Sequence, residues 1–232
     1  MLWGLKPVEQ RAAHGLARER LKRFIHVGFF LPGERMASER RLAEQIGISR
    51  VTLREALGVL EAEGYVQIRR GASGGAFVAG EDALKRMADN QFSAQPATAL
   101  RVLEYRDHAE PEAARLAAMR RSPADLKQIG QAIDGLRRAA TLGEIRRSEA
   151  AFHLSVAQAS GNPFFAASIE DAMALMFLPF PSGDPSHEAD ASHRLRLAVA
   201  DAVDARNEPA AARAMQDVLT ANRERMPRRQ VA

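Results

Sequence analysis

Four polar side chains in the N-terminal third, Ser49, Arg50, Thr52 and Arg54, have types and spacing that suit contact with a nucleic acid. Hydroxyl groups bind phosphate oxygens, and a guanidinium can donate two parallel hydrogen bonds to O6 and N7 of guanine. Ser49 is a favourable helix cap, so all four would occupy the exposed first turns of one helix. That end of a helix is the part that enters the major groove of DNA.

The elements around these residues predict a winged helix-turn-helix. The third helix is expected to bury a face formed by Val51, Leu53, Ala56, Leu57 and Leu60. Gly47 and Gly64 stop the second and third helices, and the glycine-rich segment 71–75 forms the turn of a hairpin. In order, the predicted elements are a helix over residues 8–27, helices capped by Ser38 and Ser49, and strands over 65–68 and 76–78.

The excess positive charge of the chain lies in its N-terminal part. Residues 1–80 carry 13 Lys and Arg against 8 Asp and Glu, which is a net charge of +5. Residues 81–232 carry 20 against 21, which is −1. This asymmetry is typical of a polyanion-binding module joined to a neutral module, although +5 over 80 residues is modest by itself.

The rest of the chain predicts a second, all-helical domain. From about residue 82 it is rich in Ala, Leu, Arg and Glu at helical spacing, and prolines fall near helix ends. The chain has no cysteine, no long apolar segment for a membrane and no apolar signal sequence, which fits a cytoplasmic protein. Helices are expected near residues 82–92, 97–120, 123–140, 144–160, 162–178, 188–206 and 209–225.

Residues 10–80 resemble the GntR superfamily of bacterial regulators. The resemblance rests on the Pro-Gly-Glu turn at 32–34, the Ser-Glu-Arg-Arg-Leu-Ala run at 38–43, the helix at 49–57 and the wing ending Gly-Gly-Ala-Phe-Val at 74–78. It implies that Arg40, Arg50 and Arg54 contact DNA, and that Ser49 and Thr52 contact phosphates or bases. It also implies a minor-groove or backbone contact from Arg70 and Gly71 at the wing tip.

The helical part resembles the effector-binding and dimerisation domain, of the FCD type, of the FadR-like branch. The matching segments are 106–118, 149–153 and 159–163. Many members of this branch bind a divalent metal through an Asp and a His four residues apart and two later histidines. The first pair here would be Glu149 and His153, which could hold zinc or nickel, but Arg196 and Val218 stand at the later positions. His193, one turn before Arg196, is a possible substitute ligand.

Arginine cannot ligate a metal because it has no free lone pair, but it can clamp a carboxylate or phosphate. The preferred prediction is therefore a metal-free or weakened site. In it, Arg106 and Arg196 hold a small organic anion while Glu149 and His153 bind its hydroxyl groups. The alternative is that Arg196 and Glu149 form a structural ion pair and no effector binds there.

These features predict a mainly α protein with a DNA-binding domain over residues 1–80 and an effector-binding, dimerising domain over 81–232. The expected function is a ligand-responsive transcription regulator, a repressor of a catabolic operon, acting as a homodimer on palindromic double-stranded operator DNA. Two alternatives stay open. One is a metal-dependent helical-bundle enzyme that uses Glu149 and His153, and the other is a helical interaction protein with a vestigial DNA module.

Overall fold

The computed structural model describes residues 13–71, 74–175, 177 and 184–224. The predicted fold class is confirmed, since a helical N-terminal region with a two-stranded hairpin is followed by helices alone. The elements are α1 (Ala13–Val27), α2 (Glu39–Ile46), α3 (Arg50–Ala62), β1 (Val66–Arg69), β2 (Gly75–Val78), α4 (Glu81–Ala94), α5 (Pro96–Arg120), α6 (Pro123–Arg138), α7 (Leu142–Ala159), α8 (Pro163–Leu175), α9 (Pro185–Asp204) and α10 (Glu208–Glu224).

The chain divides into two compact units. Among the described residues, unit 1 takes the chain up to Arg23 together with Gly33–Ala79, and unit 2 takes Phe24–Pro32 together with the chain from Gly80 onward. The division after Ala79 lies beside the expected boundary at 80/81. The assignment of Phe24–Pro32 to the helical unit was not expected, and it means that α1 starts in one unit and ends in the other.

In unit 1, capping residues position the two helices of the helix-turn-helix. The Ser38 hydroxyl accepts a hydrogen bond from the backbone N–H of Arg41 at 3.4 Å, and Gly47 ends α2 with φ +80°. The buried face of α3 consists of Leu53, Ala56, Leu57 and Leu60. The expectation that Val51 belongs to that face is wrong, because 66% of its surface is exposed.

The wing of unit 1 is an antiparallel hairpin. Its register pairs Val66 with Val78 and Arg69 with Gly75, and Arg35 adds an isolated bridge to Phe77. Ala72 and Ser73 of the expected turn lie outside the described residues. So do residues 8–12 of the first predicted helix and residues at the expected ends of two later ones (176, 178 and 225).

In unit 2, prolines and capping boxes begin the helices close to the expected positions. Ser122 and Thr141 each accept from the backbone N–H three residues later, while Asp125 and Glu144 reach back to them. A shared apolar core joins α5, α6, α7, α9 and α10, and it includes Val218, which is fully buried. None of the described helices is both long and apolar enough to cross a membrane.

Candidate DNA-contact surface and effector site

The first turns of α3 present polar and apolar side chains to solvent. The Ser49 hydroxyl accepts from the backbone N–H of Thr52 at 3.0 Å and lies 2.9 Å from the Thr52 hydroxyl. Arg50, Val51 and Arg54 are exposed beside them. The expected DNA-contacting residues of this helix therefore share one exposed end, while its apolar stripe faces the core.

The arginines of α2 and α3 differ in how they are held. Arg40 is exposed and donates to Glu44, one turn later in α2, at 3.0 Å. Arg54 donates through Nε to Oε2 of Glu39, the first residue of α2, at 2.7 Å. The second contact joins two helices, so it restricts Arg54 in a way that a pair within one helix cannot.

The wing end is formed by Arg70 and Gly71, which are both exposed, and Gly71 has φ +103°. Two further arginines support the hairpin, although the sequence did not single them out for this role. Arg35 donates to the carbonyl of Gly74 at 2.5 Å. Arg69 stacks its guanidinium 4.3 Å from the centre of the Phe77 ring.

A group of charged side chains lies among α5, α7 and α9 of unit 2. Arg196 is completely buried and Glu110 is 1% exposed, so each needs a partner of opposite charge. We call the following seven residues the arginine cluster: Arg106 and Glu110 from α5, Arg146, Glu149 and His153 from α7, and Ser192 and Arg196 from α9.

Glu110 joins two members of the arginine cluster. One of its carboxylate oxygens accepts from Nε of Arg106, one turn earlier in α5, and the other faces Nδ1 of His153. Burial alone would raise the pKa of Glu110, but Arg106 and His153 outweigh it and lower that pKa to about 2. The carboxylate therefore stays ionised at neutral pH.

His153 is held in one neutral tautomer by its two neighbours. Burial lowers its pKa; Glu110 opposes this shift, and the positive charges of Arg106 and Arg196 add to it. A carboxylate only accepts and a guanidinium only donates, so Nδ1 must carry the proton. The lone pair of Nε2 then faces Nη2 of Arg196 at 3.4 Å.

Arg196 binds on the opposite side of His153. Its Nη2 lies 3.1 Å from Oε1 of Glu149, and its Nη1 donates to the Ser192 hydroxyl at 2.5 Å. That hydroxyl in turn donates to the same oxygen of Glu149 at 2.5 Å. The guanidinium also lies over the Phe152 ring, 5.5 Å from its centre. The ion pair between Arg196 and Glu149 considered from the sequence is therefore present.

Arg146 adds a third guanidinium that the sequence did not single out. It donates to the backbone carbonyl of His26, at the end of α1, through Nε at 3.1 Å and Nη2 at 2.6 Å. Removal from water lowers the pKa of Arg146 to about 10; Glu149 opposes this shift and Arg106 adds to it. Arg146 is therefore electrostatically coupled to the cluster while it binds the end of α1.

The structure brings together four of the five expected effector residues, Arg106, Glu149, His153 and Arg196. No hydrogen bond or ion pair joins His193 to them within the described residues, and its neighbour Ser192 makes the contact instead. Glu110, Arg146 and Ser192 were missed. The spacing of Arg106 and Glu110, four residues apart on one helix, could have revealed Glu110.

A divalent cation does not fit the side chains that the family resemblance suggested for it. Nε2 of His153 would be the coordinating atom, but it faces the positive charge of Arg196. Val218, at the fourth position, lies in the apolar core. In the described part of the chain, no group of three or more His, Cys, Asp or Glu side chains could hold a metal ion. Glu149 and His153 alone do not replace such a set.

A winged helix-turn-helix followed by a helical domain with a buried polar cluster defines a DNA-binding transcription regulator. Comparison with known proteins gives its family. The family model described as "Bacterial regulatory proteins, gntR family" matches residues 16–78, and the FCD domain matches residues 101–221. The chain belongs to the GntR family of bacterial regulators, whose members bind operator DNA, typically as dimers.

The relatives are named as regulators. The chain is 33% identical over 180 residues to the Glc operon transcriptional activator of Escherichia coli K12, covering 73% of this chain and 69% of that protein. It is 27% identical over 221 residues to the transcriptional repressor NanR of Cronobacter sakazakii, covering 92% and 85%. These matches confirm the expectation of a regulator rather than an enzyme.

Among solved structures, E. coli McbR/YncC shares the fold. The TM-score is 0.55 at 20% sequence identity, and the match covers 93% of this chain and 97% of that one.

Proposed function

We propose that this regulator reads operator DNA through the exposed end of α3 and that a small organic anion bound at the arginine cluster controls it. The observation that carries the proposal is the concentration of guanidinium groups in the cluster. Arg106, Arg146 and Arg196 come together there with Glu110, Glu149 and the neutral His153. Guanidinium groups bind carboxylates through paired hydrogen bonds, so an organic acid is the kind of ligand that this largely buried place suits.

For DNA, the proposed contacts are base-reading by Arg50 and Arg54 and phosphate contacts by Arg40, Ser49 and Thr52. Arg70 and Gly71 at the wing would reach the minor groove or backbone. Except for the half-buried Thr52, these residues are exposed beside a well-packed α3, which supports these roles. One α3 helix reads only a few base pairs, so a homodimer on a palindromic operator is proposed. We place the protein in the cytoplasm, where it would meet that DNA.

The DNA assignment is tested with an operator selected from random duplexes by the full chain. Arg50→Ala and Arg54→Ala are each expected to lose about 5- to 150-fold in preference for that operator over other sequences. The matched control is Arg115→Ala, an arginine of α5 paired with Glu112 and Glu208. Undiminished preference in both α3 variants would refute the assignment.

For the effector, Arg106 and Arg196 are proposed to bind the carboxylate, and Glu149 and His153 to bind hydroxyl groups. To accept the ligand, Arg196 would exchange part of its contact with Glu149 for the incoming carboxylate. After this exchange Glu149 would keep the hydrogen bond from the Ser192 hydroxyl and the attraction of the Arg146 charge, which limits the cost of the exchange. The competing interpretation is that the Arg196–Glu149 pair is purely structural.

Control of DNA binding would pass through α1. Arg146 binds the carbonyl of His26, and His26 stacks on Phe177 with ring centres 4.6 Å apart. Helix α1 begins in unit 1 and ends in unit 2. A change in the hydrogen bonds from Arg146 to the last turn of α1 therefore acts on an element that both units share. The proposed outcome is repression relieved by the effector, through a shift between DNA-binding and non-binding states.

The effector assignment is tested by thermal unfolding of the full chain with two- to six-carbon hydroxy acids and with their neutral amides. Acids that bind are expected to raise the unfolding temperature, because a ligand of the folded state stabilises it. Arg196→Gln is expected to abolish the shift, and Arg115→Gln to keep it. An equal shift in the Arg196 variant would favour the purely structural ion pair.

A further inference from the structure

We propose that Glu39 is a positioning residue for DNA recognition, which fixes the guanidinium of Arg54 so that its two terminal amino groups face one guanine. This inference rests on the proposed role of Arg54. The contact that carries it is the 2.7 Å hydrogen bond from Arg54 Nε to Oε2 of Glu39.

The contact with Glu39 uses Nε of Arg54, the guanidinium nitrogen nearest to the main chain. A guanidinium has five N–H donors, of which one is on Nε and four are on the two terminal nitrogens. With Nε held by Glu39, the end of the fork carries two parallel N–H groups, which is the geometry that matches O6 and N7 of guanine. The terminal nitrogens make no hydrogen bond within the described residues, and 61% of the side chain is exposed.

Glu39 is itself well fixed. It is the first residue of α2, directly after the cap Ser38, and its side chain is 34% exposed. Its negative charge favours the N-terminus of α2, so helix α2 and its cap hold Glu39 independently of Arg54. The pair thus connects a rigid element to a long side chain that otherwise has many rotamers.

Arg50 and Arg40 provide the contrast. Arg50 is exposed at the start of α3, and no hydrogen bond or ion pair restrains it among the described residues. Within the part of the chain that the structure describes, Arg40 pairs only with Glu44 of its own helix. Fixing a side chain before binding reduces the ordering cost of binding. Arg54 should therefore be the more selective reader, and Glu39 should be the cause.

The experiment compares Glu39→Ala with Glu44→Ala in the full chain. Both remove one acidic side chain from α2 that pairs with an arginine, so they form a matched pair. Arg54→Ala first identifies the base pair that Arg54 reads in an operator selected from random duplexes. Discrimination is then measured as the ratio of Kd for a substituted base pair to Kd for the selected one.

At the base pair read by Arg54, Glu39→Ala is expected to reduce discrimination about 2- to 10-fold, and Glu44→Ala to leave it unchanged. Both variants are expected to bind non-specific duplex slightly more tightly at low salt, because each removes a negative charge from the DNA-facing unit. Loss of discrimination in Glu39→Ala alone, together with tighter non-specific binding in both variants, separates positioning of Arg54 from a simple charge effect. Glu39→Gln, which keeps an acceptor, should restore part of the discrimination.

The double variant Arg54→Ala with Glu39→Ala is expected to discriminate no worse than Arg54→Ala alone. A further loss would show that Glu39 reads a base itself, which a carboxylate can do with cytosine N4, and would overturn the inference. Unchanged discrimination in Glu39→Ala would overturn it as well. If Arg54→Ala loses no discrimination at any position, the proposed function of Arg54 fails instead. Thermal unfolding of each variant checks that α2 is intact.

Discussion

The guanidinium of Arg196 lies 3.1 Å from the carboxylate of Glu149 and 3.4 Å from Nε2 of His153, so it occupies the place of the cation that these two side chains could hold. Glu149 supplies negative charge and the neutral His153 supplies a lone pair, which are also the donors that a metal site needs. The guanidinium of Arg196 therefore supplies the positive charge that these two side chains contact.

The first prediction follows from that relationship and concerns metal binding. Arg196→His removes the buried cation and adds a third nitrogen or oxygen donor beside Glu149 and His153. We expect this variant to bind zinc or nickel measurably in titration calorimetry, and the wild-type protein to be indifferent to a chelator. Arg106→His is the control, because it removes a guanidinium paired with Glu110 rather than with Glu149. Chelator-sensitive unfolding of the wild type would contradict the prediction.

The second prediction concerns the acid stability that Glu110 provides. Its pKa is lowered to about 2 from an ordinary 4.5, so its contribution is present above the unfolded-state pKa and is lost as pH falls from about 4.5 toward 2. The shift corresponds to a free energy on the order of 3 kcal/mol. The unfolding free energy of the wild type should therefore fall toward that of Glu110→Gln as pH drops through this window.

Urea unfolding at several pH values measures this convergence. Glu112→Gln is the comparison, because Glu112 also pairs with an arginine of α5 but 43% of its side chain is exposed. The free energy of unfolding of Glu112→Gln should differ little from that of the wild type at every pH. A gap between wild type and Glu110→Gln that stays constant from pH 5 to pH 2.5 would show that Glu110 is not ionised in the folded protein.

The sequence predicted the helices well because their ends carry local signals. Ser49, Ser122 and Thr141 cap helices, and Pro96, Pro123 and Pro163 stand at first turns, so neighbouring residues determine these boundaries. Val51 was wrongly assigned to the buried face because an apolar side chain was assumed to be buried. It lies two residues before Leu53, about 200° around the helix from it and outside the stripe that continues to Leu60.

The effector site was only partly predictable for a different reason. Arg106, Glu149, His153 and Arg196 were found through family positions, and Ser192 shares a helix face with Arg196 four residues later. Arg146 had no such signal. It contacts His26, which is 120 residues away in the sequence, and only the folding of the last turn of α1 into unit 2 brings them together.

The third prediction uses a substitution of Gly28 to test the contact between Arg146 and the end of α1. This glycine has φ +91°, and a Cβ there would lie 3.1 Å from Cγ of Arg146 and 3.3 Å from the backbone nitrogen of Arg147. Gly28→Ala is therefore both strained and crowded, and we expect it to lower the free energy of unfolding by about 1–3 kcal/mol. The contact to Arg146 should loosen at the same time.

Gly130→Ala is the matched control for this change. Gly130 is within α6, and a Cβ there meets no atom within 4 Å, so alanine should stabilise the helix by about 0.5–1 kcal/mol. Urea unfolding gives both free energies, and hydrogen exchange of the backbone amides of residues 24–31 reports whether the end of α1 has loosened. If Gly28→Ala is as stable as the wild type, α1 does not end against Arg146 as described.

The last prediction concerns Val51, which is 66% exposed at the start of α3 between Arg50 and Thr52. An apolar side chain in this position suits contact with the methyl group of thymine, since such contacts read A·T pairs in the major groove. We expect Val51→Ser to reduce preference for one thymine in the selected operator while the unfolding free energy changes by no more than about 0.5 kcal/mol.

Leu53→Ser should lower the free energy of unfolding without changing base preference directly. Leu53 is fully buried, so the substitution removes its apolar contacts and buries a hydroxyl group. It should unfold at clearly lower urea concentration before any change in base preference can be measured. Operator selection with the Val51 variant, followed by binding to duplexes that carry uracil instead of thymine, isolates the methyl group. If the wild type binds thymine and uracil duplexes equally at every position, Val51 makes no such contact, and its exposure has no role in base recognition.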